Sequence, residues 1–414
     1  MRKVLLMILT ITFFTVILIG CKNEPVRSIL LENNIDLLRS DEPVVLSRVD
    51  IESLFGDLAE GQYPVATLPS GEALATQVDD LDGDGIWDEV VFLATAQPST
   101  QQLVNIKLVN LSDFPQFEVR TNAHLAKIEN DTYVGLTNAA RLTSEQGPAG
   151  GVFQFEGPGW ENDIVGFRNY LDARNGMDIF GKTTSKMVLD SVGINEDYHV
   201  LQPWGYDILR VGTSLGAGAL AIKIDGLPIR LSPKENSSFE IIAEGPVRSI
   251  VRFTYNNWEV GNHKYDIIHD VSIYAGKWYY TSEVYFVGHT GETGLLAGIT
   301  TIDLGDKEAK ILNTDGITTV LTHGKQSFNF ENLGLAIMVS DNYYVGVNRV
   351  GEGGDITNTI LVEMAVKDEL PVQFRFYAAW ELTDKTFAEE QNFQSFLENE
   401  AMKLSNPLTV SFQQ

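Results

Sequence analysis

Between residues 219 and 380 the chain passes through nine short segments that are continuously apolar or alternate apolar and polar, at 219–224, 239–243, 247–255, 264–274, 277–287, 336–339, 343–347, 359–366 and 372–380. Gly, Asn, Asp or Pro stands between them. A period of two is the mark of a strand with one buried face, and this punctuation supplies hairpin turns. Many such strands in succession stack as antiparallel sheets, so the chain reads as all-β.

Shorter pieces of the same kind lie at 44–46, 73–78, 89–93 and 103–109, and only 385–404 has a convincing helical pattern. With 414 residues the chain exceeds a typical domain. The expected architecture is a small N-terminal β-sandwich over 42–111 and a large antiparallel β-sandwich over 112–414, with one C-terminal helix. By fold-level analogy the large unit is a mutarotase-like super-β-sandwich whose concave sheet holds a sugar.

The N-terminus has a different character. Arg2 and Lys3 precede an apolar run that ends Leu18-Ile19-Gly20-Cys21, the pattern of a lipoprotein signal in which residues 1–20 are removed and Cys21 is acylated. Cys21 is the only cysteine, so the mature chain has no thiol for disulfides, metal binding or nucleophilic catalysis. Residues 21–41 are polar with scattered leucines and read as a tether. Lys22 gives no acidic retention signal, which points to the outer membrane, reached through the N-terminal lipid alone. A formal charge of −26 repels nucleic acid and anionic lipid.

Against that negative background one stretch is balanced. GPGWENDIVGFRNYLDARNGMDIFGK, residues 157–182, sets Glu161, Asp163, Asp172 and Asp178 against Arg168, Arg174 and Lys182, with Lys186 just beyond. An island of cations in an anionic chain is a candidate anion site. Trp160, Tyr170 and Trp204, flanked by such groups, either hold the C–H faces of sugar rings or fill the core between sheets.

The histidines are His124, His199, His263, His269, His289 and His323. None forms a helical metalloprotease pair, and the chain has neither a nucleophile elbow nor a glycine-rich dinucleotide or phosphate loop. His199 lies in DYHVLQPWGYDILRVG beside Tyr198 and near Asp207, and either lines a cleft or is a hydrogen-bonded structural histidine. His269 reads as a sheet residue, and Arg248, Arg252 and Lys264 either line the same concave face or, the favoured reading, pair with surface acids.

VDDLDGDGIWDEVVF places Asp80, Asp82, Asp84 and Asp88 at the first, third, fifth and ninth positions of a Ca²⁺-type loop with Gly85 at the sixth. Val91 occupies the twelfth position, where a bidentate acid is expected, so Glu89 is the substitute. The alternatives are a structural Ca²⁺ site and a solvated acidic turn. No cofactor is expected for catalysis.

These three motifs together resemble a family of secreted, mostly Bacteroidota proteins, long labelled a domain of unknown function and encoded among polysaccharide-degradation genes. The resemblance covers nearly all of the mature chain. One branch is similar to an oligosaccharide dehydratase of ulvan breakdown, which removes water from a non-reducing-end uronic acid and leaves a 4,5-unsaturated sugar. That chemistry takes the proton at C5, alpha to a carboxylate, and expels the C4 hydroxyl, so it needs cations at the carboxylate plus a base and an acid. On the matching motif positions Arg168 and Arg174 hold the carboxylate, and His199 with Tyr170 or Tyr198 moves protons. Trp160, Glu161, Asp172, Lys182, Trp204 and Asp207 complete the binding set for an acidic oligosaccharide. Two alternatives remain: a β-eliminating lyase that cuts the chain, and a non-catalytic glycan-binding lipoprotein.

Overall fold

The strand-patterned segments assemble around a nine-stranded antiparallel sheet. Its order is Asn138–Ala140, Ser237–Ala243, Arg248–Val260, His263–Tyr274, Tyr279–Val287, Val372–Trp380, Leu333–Ser340, Ile317–Gly324 and Lys310–Thr314. The computed structural model describes residues 26–140, 152–232, 236–260, 262–287, 293–367 and 370–413. The signal segment, Cys21 and His289 lie outside the described residues.

Two five-stranded sheets pack on the inner face of this sheet. One runs Gly205–Asp207, Met177–Lys182, Val165–Asn169, Gly159–Asn162 and Thr121–His124, and the other Leu227–Arg230, Ala217–Ile224, Gly294–Thr300, Thr359–Ala365 and Tyr344–Val350. The layer between is aromatic. Trp160 meets Tyr280 edge-on at 5.5 Å and Phe253 at 6.2 Å, and Phe167 meets Tyr280 at 4.9 Å. Aromatic pairs in these arrangements add about 0.5–1.5 kcal/mol each beyond the area they bury.

The outer face of the nine-stranded sheet is covered in two ways. Helix α2, Glu390–Ser405, lays Phe393, Leu397 and Ala401 against Leu321, Ala336 and Tyr377. Gly334 lies beneath this helix, where a Cβ would come within 2.6 Å of the Phe393 ring. The N-terminal unit covers the other part, through Val91 and Leu93 against Val247 and Ala275.

That N-terminal unit is a small sandwich. A sheet of Thr409–Phe412, Val26–Glu32, Gln101–Asn110 and Gln62–Thr67 faces one of Arg39–Ser47, Glu89–Ala96 and Thr76–Asp79. The expected tether at 21–41 is corrected here: Val26–Glu32 is a strand, with Ile29 and Leu31 buried among Val44, Phe92, Val104 and Ile106. Its two inward residues were too short a pattern to register against the surrounding polar residues. The sandwich therefore reaches beyond 42–111 at both ends, because the C-terminal strand returns to its edge.

A second helix, α1 at Arg48–Phe55, was also absent from the sequence reading. It starts from a reciprocal cap in which Ser47 accepts the Asp50 amide and Asp50 accepts the Ser47 amide.

Candidate functional site

Strand register explains how the charges of residues 157–182 are placed. Trp160, Phe167 and Ile179 stand opposite one another and face the aromatic core. The alternate positions, Glu161, Arg168, Asp178, Phe180 and Lys182, project to the other side, and Asp207 joins them opposite Phe180. The segment 183–204 then folds over that charged face, burying Val188, Leu189 and Val192 against it and giving the Val188 and Leu189 amides to Glu161 Oε1 at 2.6 and 2.8 Å. Gly205 makes the return possible: it sits at φ 130°, and a Cβ there would stand 1.7 Å from the Gly181 carbonyl.

Beneath this cover Arg168 is the centre of a charge cluster. Its Nη2 donates to Asp178 Oδ2 at 2.8 Å and Asp207 Oδ2 at 2.6 Å, while Nη1 lies 2.7 Å from Glu156 Oε2. The guanidinium carbon is 5.0–5.3 Å from the ring centres of Phe180, Tyr198 and Tyr170. The Tyr170 hydroxyl donates to Asp178, and the Tyr198 hydroxyl lies 3.4 Å from Glu156 Oε2. Three carboxylates around one guanidinium leave an excess of negative charge in a low dielectric. Burial, then the neighbouring Asp178, holds the Asp207 carboxyl well above the usual carboxylate range. Burial likewise pushes both phenols up, Tyr170 further under the charge of Asp178.

The cluster reaches solvent on one side. His199 stacks on Tyr198 with ring centres 4.4 Å apart, and its Nε2 is 3.8 Å from Asp207 Oδ2 while Nδ1 is 3.1 Å from Asp197 Oδ1. Its side chain is 50% exposed. Arg174 lies over the Tyr170 ring at 4.3 Å, donates to Asp172 Oδ2 at 2.8 Å, and is 37% exposed. Arg168, Arg174, Tyr170, Tyr198, His199, Asp172 and Asp207 thus form one connected group.

Other expected contacts are placed elsewhere. Trp160 is fully buried in the aromatic core, which corrects its reading as a sugar platform. Glu161 and Lys182 are fully buried and ion-paired at 2.5 Å, so they have no surface to offer a ligand. Burial pulls the Lys182 ammonium down against the attraction of Glu161. Trp204 is nearly buried, packs on Phe180 at 6.0 Å and donates Nε1–H to Glu196 at 2.9 Å. Tyr170 gives its hydroxyl inward to Asp178 and presents its ring to the arginines, which leaves Tyr198 as the phenol beside His199. The sequence reading missed Glu156 and gave no site role to Asp178; the signal for both was adjacency to the 157–182 motif.

His269 is a buried sheet residue 2.7 Å from Ser282 Oγ. Arg252 pairs with Asp270 at 2.8 Å. Arg248 departs from the surface expectation: it is buried and joins the two sandwiches through Asp79 and Glu89, each at 2.7 Å.

That pairing also revises the acidic loop. Carboxylate oxygens of Asp80, Asp82 and Asp88 lie within 4.8 Å of one another, a spacing that suits a divalent cation. Glu89 is turned away to Arg248, and Asp84 Oδ1 accepts the Ile86 amide at 2.7 Å outside that trio.

Comparison with known proteins follows the same outline. A Formosa agariphila protein described as uncharacterized protein P7 is 23% identical over 412 residues, covering 94% of this chain and 93% of its own. Two solved Enterococcus faecalis structures, an alpha-mannosidase and a protein in glycosyl hydrolase family 38, align over 94% of this chain at 10% identity, with TM-scores of 0.47 and 0.49. The chain spans about half the length of each, 46% and 47%. Residues 31–410 match the family described as "Domain of unknown function (DUF4861)", and the chain belongs to that family.

Proposed function

We propose that this protein is a carbon–oxygen lyase that removes water from the non-reducing-end uronic acid of an acidic, ulvan-type oligosaccharide. The observation that carries the reading is the continuous array in which Arg174 and Arg168 lie over Tyr170, Arg168 over Tyr198, and Tyr198 against His199. Such an array joins an exposed cation and an exposed imidazole through two buried phenols.

In the proposed reaction the substrate carboxylate pairs with Arg174, which is partly exposed and gives Nε and Nη2 to Asp172, leaving the Nη1 edge for the substrate. Arg168 is buried among its own three acids, so it acts as a positioning residue that holds Glu156, Asp178 and Asp207 in place. His199 accepts the C5 proton. The C5–H electrons become the C4–C5 double bond, the C4–O bond breaks, and Tyr198 supplies the proton that lets hydroxide leave as water. Burial keeps the Tyr198 phenol protonated at neutral pH, which suits a donor and not a base. Glu156 beside that phenol is placed to restore its proton from solvent.

The same reading makes the protein lipid-anchored through Cys21 at the outer membrane, with a structural Ca²⁺ held by Asp80, Asp82 and Asp88. The test uses uronic-acid oligosaccharides, sulfated and unsulfated, followed by ultraviolet absorbance of the enol ether and by mass. The expected product is one water lighter with no shorter chain released, and His199→Ala lowers its rate by roughly 10²–10⁴-fold. Unchanged turnover in His199→Ala removes the imidazole from the reaction.

A further inference from the structure

The outer face of the nine-stranded sheet carries a cation that the reaction above does not use. Cross-strand register sets Arg375 between Thr281 and Met338 on this face, two sheet layers away from His199. Arg375 is partly buried, and the fully buried arginines each meet a carboxylate: Arg39 meets Glu42 at 2.9 Å, Arg230 meets Asp355 at 3.4 Å, Arg248 meets Asp79 at 2.7 Å, and Arg168 has three. Arg375 forms no ion pair with a carboxylate among the described residues; its neighbours are the Tyr279 ring, 4.5 Å from its guanidinium carbon, and the Tyr377 phenol.

The acids nearby are already committed. Glu42 binds Arg39 and Lys277 at 2.9 and 3.0 Å, and Glu400 binds Lys403 at 2.9 Å. In a chain of net charge −26, a partly buried guanidinium with no carboxylate at ion-pair distance among the described residues is an exception that scarcity of carboxylates does not explain.

Space is available beside it. Arg375 lines two hollows of about 460 and 230 Å³ that share it and Leu404 of α2. The larger falls in the size range of small-molecule sites. Its wall combines the partly exposed Tyr343 ring with Ser340, Asn342 and Gln373, and its one acid, Asp315, accepts from Asn406 Nδ2 at 2.6 Å. Apolar surface, amide and hydroxyl groups and one arginine fork are together the chemistry that recognises a hydroxylated ring bearing a carboxylate.

We propose that this hollow is a second, non-catalytic subsite that binds one uronic acid unit, with its carboxylate on Arg375, its C–H face on Tyr343 and its hydroxyls toward Ser340 and Asn342. The ligand class rests on the proposed function, whereas the need for a carboxylate rests on Arg375 alone. Such a subsite retains an acidic chain on the protein between encounters with the His199 site.

The test measures binding of glucuronate by calorimetry or saturation-transfer NMR, with glucose as the neutral control, in Arg174→Met protein so that the first arginine contributes nothing. Expected results are saturable glucuronate binding, no comparable binding of glucose, and a loss of at least about tenfold in Arg375→Met, the scale of a charged hydrogen-bonded pair. Asn342→Ala, at an exposed position, weakens binding severalfold without touching the Tyr279 stack, and decides the matter should Arg375→Met fail to fold. No saturable binding, equal binding of glucose, or glucuronate binding unaltered in the variants overturns the subsite. Absence of unsaturated product from every oligosaccharide overturns the lyase instead and leaves this measurement intact.

Discussion

Arg168 makes a point about single residues: a side chain identified by its charge is defined by what else is buried with it. Asp178, Asp207 and Glu156 surround its guanidinium, and burial together with the neighbouring Asp178 holds the Asp207 carboxyl well above the usual carboxylate range. Removing one partner of a buried ionic network costs roughly 3–5 kcal/mol, because the remaining charges lose their counter-ion. Arg168→Met is therefore expected to lower the unfolding free energy, read from a urea titration, by an amount of that order, while Arg174→Met, on the exposed rim, changes it little. Equal stability of the two variants contradicts the cluster's proposed balance. The sequence showed that these acids and bases are numerically matched, yet not that Glu161 and Lys182 pair inside while Arg174 stays at the rim. That partition depends on strand parity and on segment 183–204 closing over one face, and neither is written in local composition.

Secondary-structure elements were legible in proportion to their length and periodicity. The long alternating runs that became His263–Tyr274 and Val372–Trp380 were read with nearly their final bounds, whereas Arg248–Val260 was read only as far as Tyr255. Val26–Glu32 and α1 were not, since a strand with two deeply buried residues and a two-turn helix each carry little pattern. The acidic loop was recognised by spacing, but its ligand set was not, because Glu89 is diverted by Arg248, a residue distant in the chain. With Asp80, Asp82 and Asp88 as ligands, millimolar Ca²⁺ is expected to raise the melting temperature by a few degrees through its preference for the folded state, and Asp80→Asn to abolish the effect. Identical melting in Ca²⁺ and in chelator rules the ion out.

At the scale of the whole molecule the first and last described strands meet. Thr409–Phe412 pairs with Val26–Glu32, Leu408 and Val410 pack on the small sandwich core, and Arg39 donates to the Lys403 carbonyl at 3.2 Å and to the Asn406 carbonyl at the end of α2. A chain ended at Asn406 is expected to show a separate, earlier calorimetric transition for the small sandwich while the large one melts as before. A single transition at the original temperature argues that the last strand adds nothing.

The central position of Val26–Glu32 in its sheet has a mechanical meaning. Flanked by Gln101–Asn110 on one side and Thr409–Phe412 on the other, this strand is gripped along both edges. A pull from the residues ahead of it, along the strand axis, loads two ladders in parallel as shear and cannot unzip them one bond at a time. Whatever drag an attached polymer exerts on the body is then met by the most resistant geometry a sheet provides.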